Sequence, residues 1–233
     1  MLYRFDPMYW IISLPALILA LVAQAWVRSS YNKYLQVRNS AGITGREAAQ
    51  HLMRSAGLNL RVERARGELS DHYDPRNDVL RLSEGVANRA SVASVAIVAH
   101  ELGHALQDAN AYLPLRLRSG LVPVVNFTSW LGPILFMLGL WLNLFELAVL
   151  GIVAFSGAAL FALVTLPVEI NASQRAMRLL DQSGMLRSAE ERKGARRILS
   201  AAALTYIAAL AQALSTLLYY FLLLNGRSSR QRR

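Results

Sequence analysis

The chain reads as a mainly α-helical membrane protein with about four transmembrane helices and a small α+β region, and three observations predict that class. Hydrophobic residues make up 54 % of the sequence, and they gather in four blocks near 8–27, 120–142, 146–168 and 199–224. Each block has about the 20 apolar residues needed to cross a hydrocarbon layer of about 30 Å. The polar stretch between the first two blocks carries strand and turn signals. It ends in an apolar helical pattern that contains His100-Glu101-Leu102-Gly103-His104.

The first block follows Arg4 and ends near Ala23-Gln24-Ala25, a pattern that a cleavable signal peptide would also have. Its apolar core is too long for that, and Arg28, Lys33 and Arg38 follow directly, so it is expected to stay as an anchor. Between Arg118 and Glu169 the only charged residue is Glu146, so this stretch is expected to hold two spans joined by a tight turn near Asn143. Tyr9, Trp10, Trp26, Trp141, Tyr219 and Tyr220 fall near the span ends, where amphipathic rings favour the interface. The whole chain, 1–233, is expected to form one domain whose soluble portion comprises about 28–118 and 169–197.

In the soluble portion, Thr44-Gly45-Arg46-Glu47 is a capping box that opens a helix closed by Gly57, with His51 in its middle. Leu58, Leu60 and Val62 alternate with polar residues as in a half-buried strand. Gly67 and Asp74-Pro75-Arg76-Asn77-Asp78 mark turns, and Val79 to Leu82 is a short apolar strand, so a three-stranded meander is expected. Ser91 is the N-cap of a helix over 91–111, in which Val95, Val98, Leu102 and Leu106 recur at helical spacing.

That helix puts His100 and His104, four residues apart, on one face, the arrangement with which two imidazoles ligate a metalloprotease zinc. Glu101 beside them has the place of a general base acting on water at the metal. A satisfied pair of core histidines is the plainer reading. Two histidines and a glutamate inside an apolar helix are costly unless paired, however, and zinc pairs them. The candidates for a third ligand are His51, His72, Glu169 and Asp181. Glu169 is favoured by topology, because two spans lie between it and His104 and return the chain to the same side. Pro167 is expected to open a new helix there, and Gly184 to end it.

Basic residues divide twenty on the two long connections against five on the termini and the short turn. This predicts a multi-pass protein of the cytoplasmic (inner) membrane whose zinc side faces the cytoplasm. The net charge of +10 then reads as topology and contact with anionic headgroups, with no nucleic-acid partner expected. The chain has no cysteine, which excludes thiolate ligands and disulfides. Intramembrane charge is confined to Glu146, so no ion pathway is visible and a transporter is disfavoured.

Taken together, several runs resemble the bacterial membrane zinc metallopeptidases of the YugP type, more distantly related to HtpX-type and prenyl-protein endopeptidases. They are Ser70-Asp71-His72-Tyr73-Asp74-Pro75-Arg76, Val79-Leu80-Arg81-Leu82-Ser83-Glu84-Gly85-Val86, the pentad, and Leu166-Pro167-Val168-Glu169-Ile170-Asn171-Ala172-Ser173. The resemblance implies a zincin-like membrane endopeptidase in which His100, His104 and Glu169 hold Zn²⁺. It also implies that Glu101 serves a zinc-activated water that hydrolyses membrane-associated proteins or peptides. The distant relatives carry aspartate where this chain has Ser173, so Asn171 and Ser173 are expected to orient a site group or simply to pack. His72 and Arg175 are candidate oxyanion stabilisers by type alone, a turn histidine and a surface arginine being the plainer readings. The alternative function is a zinc-stabilised membrane scaffold or adaptor, which would have no need of the base Glu101.

Overall fold

The computed structural model describes residues 7–231; Arg4, Arg232 and Arg233, which enter the charge count, lie outside the described residues. The chain is mainly helical. Its elements are α1 (Pro7–Leu35), α2 (Gly45–Ala56), β1 (Arg61–Arg64), β2 (His72–Asp74), β3 (Val79–Leu82), α3 (Glu84–Asn88), α4 (Val92–Ala109), α5 (Leu113–Leu142), α6 (Phe145–Ser183) and α7 (Ala189–Gln231). Among the described residues, four helices are long and apolar enough to cross a membrane: α1, α5, α6 and the Ala189–Gly226 part of α7. Contacts divide the chain into two compact units. One gathers residues up to Ala23, Leu117–Leu166 and those from Thr205 onward, and the other gathers Gln24–Arg116 and Pro167–Leu204.

In the first unit α5 and α6 form a hairpin through Asn143, whose φ of 55° and the Leu144 N–H to Gly139 carbonyl bond (2.8 Å) close the turn. Glycine makes the close pairing possible. A Cβ on Gly139 would lie 2.3 Å from the Ala148 nitrogen, and one on Gly151 would lie 2.4 Å from the Phe136 nitrogen. Small residues at a helix interface let backbones touch where no hydrophobic effect drives helices together. Phe136 is fully buried and stacks on Tyr220 at 4.0 Å, which ties α7 to the hairpin.

The second unit holds a core in which Leu52, Leu80, Leu82, Val86, Val95, Leu102 and Leu180 are inaccessible to solvent. Helix α2 has the capping box at Thr44 and Glu47 and ends at Gly57 in the left-handed region. The sheet has three strands, but it is not the expected meander. Its order is β1-β3-β2, with β1 parallel and β2 antiparallel to β3. Burial explains the order: β3 carries fully buried Val79, Leu80 and Leu82 and takes the centre, while the polar β1 and β2 form the edges. Only β2 and β3 make a hairpin, around Asp74, whose carboxylate accepts from the Arg76 N–H (3.0 Å) and the Asn77 amide (2.9 Å).

A second expectation is also corrected: no new helix begins at Pro167. Helix α6 runs unbroken through it from Phe145 to Ser183 and ends at Gly184, whose φ is 63°. Proline removes one backbone donor from the ladder, a loss that a long, packed helix absorbs.

Candidate metal centre

The centre forms where α4 and the later part of α6 meet within the second unit. Helix α4 starts at Ser91, whose hydroxyl accepts from the Ser94 N–H, and the fully buried Val92, Val95, Val98 and Leu102 seat it in the core. Gly103, inside the pentad, lets α6 come close: a Cβ there would lie 2.5 Å from the Ala172 carbonyl oxygen. A backbone atom cannot swing aside, so any other residue would push the helices apart.

That approach gathers His100, His104 and Glu169, whose ligand-type atoms all lie within 4.8 Å of one another. Glu169 Oε2 stands 3.3 Å from His100 Nε2 and 3.6 Å from His104 Nε2, and the carboxylate side chain is only 3 % exposed. The two imidazoles meet nearly edge to face at 4.8 Å.

The outer ring nitrogens are already engaged. His104 Nδ1 donates to Gln107 Oε1 at 3.0 Å. Gln107, fully buried, donates from Nε2 to the Val168 carbonyl (2.7 Å) and to Asn171 Oδ1 (3.1 Å). Because a carbonyl can only accept, the Gln107 amide has one orientation, and that orientation fixes the proton of His104 on Nδ1. In the neutral ring Nε2 then carries the lone pair, and in the protonated ring its N–H points at Glu169. His100 Nδ1 lies 3.3 Å from the Ser173 hydroxyl, which can donate or accept and so holds the angle of the second ring without fixing its proton. Such partners set tautomer and ring angle in histidine metal sites.

Glu101 is buried, and its Oε2 accepts the Tyr73 N–H of edge strand β2 at 3.0 Å. Nearby, Asp71 accepts from both the Ser83 N–H (2.7 Å) and the Ser83 hydroxyl (3.0 Å). Burial pushes the Asp71 carboxyl up against the pull of these two bonds, and the charge of Glu101 adds to the rise. For His104, burial acts to lower the pKa, but the bond with Glu169 and the charges of Glu101 and Glu169 outweigh it and raise it. The cluster therefore attracts a cation. Two imidazoles and a carboxylate at this spacing are a donor set that fits zinc and leaves room for a further ligand.

The other sequence candidates lie elsewhere. His51 is exposed on α2, and Asp181 faces Arg192 at 3.6 Å. His72 sits on β2, its Nδ1 donating to the Ser70 carbonyl at 2.8 Å and its Nε2 lying 3.4 Å from Arg81. Arg175 donates from Nε to Asn171 Oδ1 at 2.8 Å, so Asn171 links Arg175 to Gln107. Sequence reasoning missed Gln107 and Gly103. An amide three residues past His104, on the helix face that carries His100 and His104, was the available signal for the first.

With this geometry in view, comparison with known proteins is specific. A family model described as "Putative neutral zinc metallopeptidase" matches residues 9–225. The Bacillus subtilis (strain 168) protein described as "Putative membrane protease YugP" is 45 % identical over 218 residues, covering 93 % of this chain and 96 % of the relative. No solved structure matches. Zinc is the metal that the family description implies, and the four apolar helices accord with a membrane protein. On a match spanning nearly its whole length, the chain belongs to the neutral zinc metallopeptidase family.

Proposed function

We propose that the chain is a zinc-dependent integral-membrane endopeptidase that hydrolyses peptide bonds of membrane-associated proteins or peptides. The observation that carries this reading is the cluster of His100, His104 and Glu169, with both outer ring nitrogens engaged and Glu101 adjoining. In this reading His100 Nε2, His104 Nε2 and Glu169 hold Zn²⁺. When bound, zinc supplies Lewis acidity, which polarises the scissile carbonyl and makes water a stronger acid.

Glu101 accepts the proton of the attacking water and passes it to the leaving amine. The Tyr73 N–H holds the Glu101 carboxylate in position. Since that N–H projects from the free side of edge strand β2, an extended peptide adding to this edge would run beside Glu101. Main-chain hydrogen bonds would then grip substrates with little regard to sequence, and neighbouring surfaces would set preference.

The site faces the cytoplasm in this proposal, on the twenty-to-five division of basic residues and an even number of spans. Cysteines introduced at Asn59 and Ser188 should resist a membrane-impermeant thiol reagent in intact cells, whereas one at Ser228 should react. The reverse pattern would move the chemistry to the other face.

The ligand set is tested by metal analysis of the full chain purified in detergent. Wild type should hold one zinc, and Glu169→Ala should lose it, while His51→Ala and His72→Ala retain it. Loss on His72→Ala with retention on Glu169→Ala would overturn the assignment. Peptide cleavage that stops with chelator and returns with zinc supports the enzyme; a zinc-loaded chain that cleaves nothing favours the scaffold reading.

A further inference from the structure

Outside the metal cluster, the later part of α6 and the start of α7 enclose a groove of about 450 Å³. Its residues run along the two helices in opposite order, from Ile170 to Arg178 on α6 and from Ala203 back to Arg196 on α7. Ile170, Met177, Leu199 and Ala203 give it an apolar floor. At the other end stand Arg178 and Arg196, both exposed. Among the described residues neither guanidinium has an ion-pair partner, whereas Arg192, one turn earlier on α7, pairs with Asp181 at 3.6 Å.

By chain continuity the apolar end adjoins the membrane-crossing stretches. The long apolar run of α6 ends at Val168, just before Ile170, and that of α7 continues from Ala203. The arginines close the end farther from those runs. The groove thus offers a trough lined by apolar side chains and, at its head, two cations with no ion-pair partner among the described residues.

We propose that this groove binds one anionic phospholipid, its phosphate bridged by Arg178 and Arg196 and an acyl chain lying over Ile170, Met177, Leu199 and Ala203. Two guanidinium forks without a carboxylate between them favour a net-negative headgroup over a zwitterionic one. The apolar floor favours a lipid over free phosphate, which has nothing to bury. Ser173, which partners His100, also lines the groove, so the lipid would share a wall with the metal cluster. The site does not depend on peptide hydrolysis and is read out by binding alone.

The experiment titrates the detergent-purified full chain with phosphatidylglycerol or phosphatidylcholine and counts bound lipid by native mass spectrometry. Wild type should bind one phosphatidylglycerol in strong preference to phosphatidylcholine. The double variant Arg178→Gln/Arg196→Gln should bind it roughly thirtyfold more weakly, the loss expected for two cationic contacts with an anionic headgroup. Lys193→Gln/Arg197→Gln removes the same charge from α7 without touching the groove and should bind as wild type does. Ala203→Trp keeps both arginines and fills the trough, and should also lose the lipid while melting at a temperature close to wild type. Undiminished binding in the groove variant, or equal loss in the control, would overturn the site in favour of diffuse attraction. Displacement of the lipid by millimolar inorganic phosphate or by an acidic peptide would overturn it in favour of an anion or peptide site.

Discussion

Helices meet at close quarters in both units, yet the two meetings have different contents. Where α5 and α6 turn back on each other, Gly139, Gly151 and Gly132 bring backbones together in a mostly apolar contact, in which the Thr128 hydroxyl faces Gly157, and Phe136 of α5 stacks on Tyr220 of α7. Where α4 meets α6, Gly103 does the same to the Ala172 carbonyl, but the interface beside it holds Gln107, Asn171, His100, His104 and Glu169. A glycine contact supplies proximity in each case. The proposed chemistry belongs to the second, where the buried polar groups have partners that limit their orientation.

The widest separation between the two should come from adding a single methyl group. Gly103→Ala forces a Cβ against backbone, which costs about 1–3 kcal/mol of packing, and it moves Glu169 away from both imidazoles. Zinc content should fall to near zero. Gly139→Ala meets an equally immovable backbone in the other unit and should lower the melting temperature while the purified chain still holds one zinc. If both variants keep zinc, proximity at Gly103 does not build the site.

A smaller effect should follow from Gln107→Leu, which keeps the volume and removes the hydrogen bonds to His104 and to the Val168 carbonyl. Zinc affinity should drop about 10–100-fold with the ligands still present, the usual effect of losing the group that orients a ligand. Gln107→Glu tests the orientation argument further: it can still accept from His104, but it cannot donate to Val168 unless protonated. An unchanged zinc affinity in Gln107→Leu would reduce this network to packing.

Much of the second unit was legible because its signals are local. The Thr44 capping box, Gly57 and the short apolar run of β3 each act within a few residues, and the four apolar helices need only length and composition. What was not legible depends on distant partners. The sheet order followed from which strand could be covered on both sides, a fact about β3 and its neighbours rather than about β2. Pro167 carried the local signal of a helix start, but packing along a 39-residue helix overrode it. The bond from the Tyr73 N–H to Glu101 involves a backbone group, which every residue but proline has, so no residue type could announce it.

The central claim is that one zinc is held by His100, His104 and Glu169 and that Glu101 handles the proton. Glu101→Gln tests it most directly, because the substitution leaves the three proposed ligands in place and removes only the base. The purified variant should still contain one zinc per chain, and cleavage of a peptide substrate should fall by about 10²–10⁴-fold. Cleavage near the wild-type rate with zinc bound would contradict the account.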